Sequence, residues 1–437
     1  MKHKKILIIA HFYEPCNVIA SHRPKSWAKS LLNAGFEPVV VTRHWTGKEQ
    51  QWDELLAENT SESVETVRDG VRVISLPFRK NGFHKLATSK LAKKLKVVRF
   101  GIEWLASALG RIEIDRDVNQ NYFEPVKQLM QKETFALILV TCNPYNGAPL
   151  AARLSNASGV PWIADFRDLW DVSAQKTSDS SVSLADKIRF MFYNKTMFKA
   201  LKTAHHIVVC SEAFVPFFEQ HLSHIQTTLI KNGFESQLFD NYPDTSQSND
   251  SFTILCAGTL YEQQDKQTFA DGVKAFLLEE PDARLRIIFM GIKVNPAVCV
   301  EIESLFPPAI LETTAFVDRT TALKALKNAH VLFYPVWKGY YGIYSGKLFE
   351  YLGAHKNILI APNDNGTLEQ LLIETNAGAF PSTALECKEQ LLEWYTEWKN
   401  SGTLSYKGNE AAIGRYTREA QGELLVSLVT KALNEKG

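Results

Sequence analysis

KKILIIA (4–10), RPKSWAKSLLNAG (23–35) and PVVVTR (38–43) together decide the fold class. The outer two are unbroken apolar runs, as strands covered on both faces should be. The middle one has helical spacing, with Pro24 suited to a first turn and Gly35 to a C-terminal cap. Strand, helix, strand is the βαβ unit of a parallel sheet. The pattern returns in FALILVT (135–141), APLAARLSNAS (148–158), PWIAD (161–165), a longer helical region ending near Lys202, and HHIVVCS (205–211). Past Phe239 the run DNYPDTSQSNDS is polar and rich in turn formers, which marks a domain boundary. A second βα series then begins, with FTILCAG, ARLRIIFMG, a weaker ILETTAFV, HVLFYP and NILIAP as its strands. DKQTFADGVKAFLLEE and TTALKALKNA are helical windows between them. The expected fold is α/β: two doubly wound, parallel-sheet, Rossmann-like domains facing a cleft, at 1–240 and 241–416, with a C-terminal helix over 417–437 packing back on the first.

Composition narrows the function. At 437 residues the chain has length for two or three domains of about 150 residues. A 45% hydrophobic and 22% charged make-up excludes general disorder, and 49 basic against 48 acidic residues gives no electrostatic reason to coat nucleic acid. The six cysteines (Cys16, Cys142, Cys210, Cys256, Cys299, Cys387) show no CxxC and no paired histidine spacing, which argues against zinc, iron–sulfur and disulfide chemistry and fits a reducing compartment. The apolar run Ile6–Ala10 is too short for a signal-peptide core, and no stretch reaches the roughly 18 apolar residues of a membrane span.

Ligands of open parallel sheets sit beyond the carboxyl ends of the strands, so residues just after strands carry most weight. The most informative stretch is YYGIYSGKLFEYLGAHKNILIAP (340–362). Ser345 and Gly346 open a helix beginning near Lys347, whose free N–H groups and positive dipole end suit a diphosphate, with Lys347 adding a full charge. Glu350, three residues after Lys347, either accepts the two hydroxyls of a ribose or is an ordinary first-turn acid that complements the dipole.

SGKLFEYLGAHKNILIAP resembles the donor-nucleotide helix of glycosyltransferase family four, whose GT-B fold has two Rossmann-like domains. HFYEPCNVIASHRPKSWAKSLLNAGFEPVVVT is similar to that family's first βαβ unit, and PWIADFRDLW to a stretch of one of its branches. LIKNGFESQLF resembles the lead into the nucleotide domain, and ILCAGTLYEQQ that domain's first strand and loop. The resemblance spans nearly the whole chain. Three departures stand out. Gly342 lies eight residues before Glu350, where the family's first glutamate is usual; Thr259 replaces a common arginine; and CNVIAS lacks the usual glycines.

Around the donor the resemblance adds Gly258 and Thr259 for close approach to a phosphate, Lys266 about one turn beyond, and Tyr344 as either sugar-pocket lining or simple packing. In the first domain, Asp165, Arg167 and Asp168 follow PWIA directly; two acids around one arginine either position a sugar hydroxyl or form an internal ion-pair network. His11, Arg23 and Asn143 also stand at or near strand ends. Asp115-Arg116-Asp117 is a DxD, the metal–diphosphate signature of the other large glycosyltransferase fold, but RIEIDRDVNQNYF does not place it after a buried strand, so it reads as a solvated charge cluster and no metal is expected. RKNGFHKLATSKLAKKLKVVR (79–99) carries eight basic residues and no acid, with Leu86, Leu91, Leu95 and Val98 at helical spacing. It is either a helix on an anionic membrane surface, each basic residue contributing roughly 1 kcal/mol, or a solvated segment on its own domain.

The resemblance implies a retaining, metal-independent hexosyltransferase that uses a nucleotide sugar, UDP-linked rather than GDP-linked, and no other cofactor. Its acceptor would be a glycan or lipid-linked glycan of cell-surface polysaccharide synthesis, met in the cytoplasm at the inner face of the plasma membrane. Lys347 and Lys266 would steady the leaving diphosphate, while Asp165, Asp168, His11 and Arg23 orient the acceptor. Two rivals keep the fold: a nucleotide-sugar epimerase, and a partner subunit without turnover.

Overall fold

The computed structural model describes residues 4–16, 18–49, 52–59, 62–176 and 183–435; Asn17 of the first loop and the side chain of Lys96 lie outside the described residues. Two compact units divide them. One takes the described residues up to Lys231 and again from Gln421, the other Asn232–Ala420.

The first unit is built on eight strands: β1 (Lys5–Ile9), β2 (Glu37–Arg43), β3 (Val64–Arg68), β4 (Val71–Leu76), β5 (Leu137–Thr141), β6 (Trp162–Phe166), β7 (His206–Val209) and β8 (Gln226–Leu229). Their order across the sheet is β3-β4-β2-β1-β5-β6-β7-β8, all parallel except the β3–β4 hairpin. Successive side chains of a strand point to opposite faces, and both faces here are covered. Leu7, Ile9, Val140 and Ala164 join one core, under the helices Val118–Lys132 and Gly147–Ser158. Ile6, Ile8, Leu139 and Ile163 join the other, under the helix His22–Asn33 and the C-terminal helix Arg418–Asn434. Leu425, Leu428, Val429 and Leu433 supply that last helix's share of the core. Gly422 permits the approach, because a Cβ there would stand 2.0 Å from Ser30 Oγ.

The second unit has six parallel strands: β9 (Phe252–Ala257), β10 (Leu285–Met290), β11 (Leu311–Thr313), β12 (Val331–Pro335), β13 (Asn357–Ala361) and β14 (Gly378–Ala379). Their order is β11-β10-β9-β12-β13-β14. Strand order reverses direction between β9 and β12, as it does between β1 and β5 in the first unit. Loops leaving the carboxyl ends of such a pair diverge to opposite faces and open a crevice, which is where these folds hold ligands.

Two segments differ from expectation. Of ILETTAFV only Leu311–Thr313 is strand. The basic stretch 79–99 is not one helix: Asn81 accepts a hydrogen bond from the His84 N–H and Ser89 from the Ala92 N–H, each capping a new start. The result is three helices, Gly82–Ala87, Lys90–Lys94 and Lys96–Ala108.

Candidate functional site

At the switch point of the second unit, the chain leaving β9 turns at Gly258 (φ +87°), a conformation that side chains other than glycine rarely adopt. The loop that follows is laced to the one leaving β12. Asp265 N–H donates to Val336 O at 2.7 Å, Lys338 N–H to Gln263 O at 2.7 Å, and Tyr261 stacks on Trp337 at 5.3 Å. Gly258 and Thr259 stay exposed at its mouth, and nothing lies within 4 Å of where a Gly258 Cβ would be.

The loop after β12 ends in the helix Gly346–Ala354. Ser345 is its N-cap residue by position, yet its side chain caps nothing: Ser345 Oγ is buried without a hydrogen-bond partner. Its N–H donates to Tyr334 Oη at 3.1 Å, which fixes where the helix starts. The first-turn N–H groups of Gly346 and Lys347 are therefore left with the positive end of the dipole and no side chain to satisfy them. Lys347 reaches across to donate to Thr259 O at 3.2 Å. Among the described residues no carboxylate pairs with it, and burial holds its ammonium below the usual value of 10.5. Lys347 thus brings Gly258 and Thr259 to the helix start at Ser345 and Gly346, where its ammonium and the first-turn N–H groups are donors. Such a place suits an anion.

Glu350 is one turn further along, and its carboxylate is taken by Arg319 through Nη1–Oε2 at 3.0 Å and Nη2–Oε1 at 2.8 Å. Arg319 opens the helix Arg319–Asn328, 31 residues earlier, and only tertiary pairing reveals it. Tyr344 is buried against Phe349, with its hydroxyl donating to Thr367 O at 3.0 Å. Lys266 corrects an expectation. It is fully buried, with Nζ at 2.9 Å from Glu301 and donating to the carbonyls of Tyr261 (3.1 Å) and Glu262 (3.3 Å). Three acceptors occupy its three protons, so it holds the loop after β9 and has no charge to spare for a diphosphate.

At the strand ends of the first unit the structure redistributes the expected roles. Asp165 is fully buried and gripped by Arg23, Nε at 3.1 and 3.0 Å and Nη2 at 2.9 Å. Arg23 also donates to the carbonyls of Lys231 (2.9 Å) and Ile230 (2.8 Å) and lies 4.2 Å over Trp27. This is an internal ion pair that ties β6 to the chain after β8; it does not present an open site for an acceptor. His11 is likewise internal, ringed by Phe12, Trp45, Phe78 and Tyr122, with Nδ1 3.1 Å from Tyr122 Oη. Burial and the nearby Arg43 and Arg116 push its pKa well below 6.5, so it is neutral. Asn143, after β5, accepts from Arg116 Nη1 at 3.3 Å. The group left exposed is Asp168, with no ion-pair partner among the described residues; beside it the Nε and Nη1 of Arg167 are buried without a hydrogen-bond partner among them.

The DxD also departs from its reading. Asp117 is buried and caps the helix Val118–Lys132, accepting from Gln120 N–H at 2.9 Å and Asn81 Nδ2 at 3.0 Å, so it is a structural cap and not a solvated charge. Beside it, and unremarked in the sequence, Glu113 is buried against Arg116 at 2.8 Å, and desolvation pushes its carboxyl up to about 7. Among the described residues no cluster of His, Cys, Asp or Glu could hold a metal ion.

No family model matches the chain, and no curated protein matches it by sequence. Solved structures do match. Sucrose-phosphate synthase from Thermosynechococcus elongatus is similar with a TM-score of 0.66 at 15% identity, over 99% of this chain and 100% of that one. The Anabaena protein HepE, in complex with UDP and glucose, has a TM-score of 0.59 at 11% identity, over 98% and 100%. The trehalose 6-phosphate synthase from Burkholderia multivorans has a TM-score of 0.61 at 9% identity, over the full length of both. The chain has the GT-B fold of these glycosyltransferases, two parallel-sheet Rossmann-like domains.

Proposed function

We propose that the chain is a glycosyltransferase of the family-four kind, moving a hexose from a UDP-linked sugar to a glycan or lipid-linked acceptor in cell-surface polysaccharide synthesis. The observation that carries this reading is Lys347, a cation that meets no carboxylate among the described residues, beside an uncapped helix start at the switch point of the second sheet. A leaving diphosphate develops negative charge there, and fixed donors lower the barrier without reorganising. Lys347, the N–H groups of Gly346 and Lys347, and Ser345 Oγ would take the diphosphate, and Glu350, oriented by Arg319, the ribose. UDP is favoured by the UDP held in the similar HepE structure.

Transfer with retention follows if the acceptor hydroxyl attacks the anomeric carbon from the face the diphosphate leaves. The bond to the acceptor oxygen forms as the bond to the phosphate oxygen breaks, and that phosphate oxygen takes the hydroxyl proton. No protein nucleophile is required. In the first unit Asp168 is the group exposed to meet an acceptor, in place of His11, Arg23 and Asp165.

Isothermal titration with UDP and GDP tests the donor half: UDP should bind, and GDP more weakly. Incubation with UDP-sugars with and without a lipid extract tests the transfer half, where UDP release should need the extract and persist in EDTA. Absence of nucleotide binding would defeat the reading, and UDP-sugar interconversion without an acceptor would replace it with epimerisation.

A further inference from the structure

The helix Lys96–Ala108 in the first unit is turned inside out. Surface helices bury their apolar stripe, yet Val97, Gly101 and Ala108, which share a face with Trp104 at three- and four-residue spacing, point to solvent; Trp104 meets Phe192 edge-on at 5.4 Å and keeps part of its ring exposed, and Phe100 and Leu105 stand on either side. Val97 is 83% exposed, Phe100 48%, Trp104 42% and Leu105 50%. Ala106, on the opposite side, and Ser107, at the edge next to Phe100, are the small residues that the helix buries. Leu91 and Leu95, in the preceding turns, and Leu109, just after, are exposed as well. Large apolar side chains concentrated at a water-facing surface mark one made to be covered.

The charges around it say by what. Residues 79–109 contain one acid, Glu103, which is tied to Arg99 at 2.8 Å. Lys90, Lys93 and Lys94, in the short helix just before, are exposed and have no carboxylate partner among the described residues. Unpaired lysines beside an apolar, tryptophan-bearing face match an anionic bilayer on both counts: the acyl boundary takes the apolar ridge, the headgroups take the ammonium groups, and Trp104 suits the interface between them. No helix among the described residues is long and apolar enough to cross a membrane, so the contact lies in the plane of the interface.

We infer that the helix Lys96–Ala108 inserts its apolar face into the surface of an anionic membrane, with Lys90, Lys93 and Lys94 setting the preference for negative headgroups. The expectation from 79–99 put the apolar contribution on Leu86, Leu91, Leu95 and Val98; the structure moves its centre to Val97, Phe100, Trp104 and Leu105. This inference stands apart from the donor site, since every residue it uses lies in the first unit.

The test is flotation of the full chain with vesicles of phosphatidylcholine alone and of phosphatidylcholine with phosphatidylglycerol. Binding should appear only with phosphatidylglycerol and should fall as salt is raised. Phe100→Ser, Trp104→Ser and Leu105→Ser combined should weaken it at least tenfold, and Lys90→Glu, Lys93→Glu and Lys94→Glu combined should abolish it. Both sets lie in the first unit, away from the donor residues of the second, so UDP affinity should stay at the wild-type value. Failure of the unaltered protein to bind anionic vesicles overturns the inference without any variant. So does equal binding to both vesicle types, or a dimer in solution that the serine variant converts to monomer, which would make the face a contact between copies of the chain.

Discussion

The guanidinium of Arg319 closes on the carboxylate of Glu350 through two parallel hydrogen bonds, one turn beyond the helix start where Lys347 meets no acid among the described residues. Each carboxylate oxygen keeps a second acceptor direction after meeting the fork. Arg319 therefore orients Glu350 without exhausting it.

Glu350→Ala should weaken UDP binding at least tenfold, about 1.4 kcal/mol. Arg319→Ala should weaken it too, but by less, because the acceptor remains and only its orientation is lost. Titration calorimetry on both variants decides: unchanged affinity in Glu350→Ala would remove the ribose assignment.

Lys347→Met should lower UDP affinity tenfold or more while the thermal midpoint of the free protein does not fall, since the lysine is a desolvated cation that meets no carboxylate among the described residues. A bound diphosphate stabilises the charged form. UDP affinity of the unaltered protein should then decline as pH rises through the Lys347 pKa, which lies below 10.5, and Lys347→Met should lack that decline.

Asp165→Ala should cost about 3–5 kcal/mol in denaturant unfolding, because it takes from the buried Arg23 guanidinium the carboxylate that balances its charge. The pair Arg23→Met with Asp165→Leu should recover much of this. A loss of acceptor turnover in Asp165→Ala at full stability would restore an acceptor role to it.

Glu113 contributes a stability that depends on pH. Its folded pKa, about 7, lies above the ordinary 4.5, so the folded state holds a proton that the unfolded chain has given up. The contribution is complete below about 4.5 and is lost as pH rises through about 7, on the order of 3 kcal/mol in all. Glu113→Gln should flatten that part of the stability–pH curve, measured by urea unfolding across this range.

The parallel strands could be read because a strand covered on both faces is a continuous apolar run, as in Ile6–Ile9 and Leu137–Val140. The start of the helix at Gly346 could be read as well, from Ser345, Gly346 and Lys347 in sequence. The β3–β4 hairpin escaped notice although Asp69 and Gly70, both at positive φ, form a turn of the hairpin kind. Pairing at a distance was beyond reach. Nothing near Lys266 in sequence announces Glu301, nothing near Glu350 announces Arg319, and Asp165 finds its cation at Arg23, not at the adjacent Arg167. The outward apolar face of Lys96–Ala108 was hidden for another reason: periodicity reveals that a helix has two sides and is silent about which one meets water.

The helix carrying Leu425, Val429 and Leu433 is translated only after residues 232–420, yet it lies against Ile6, Ile8 and Leu139 of the first sheet. On the ribosome, part of that sheet stays bare while the entire second unit is made. The unit begun first is thus the one finished last, and its uncovered aliphatic surface is where a stalled or truncated chain would aggregate.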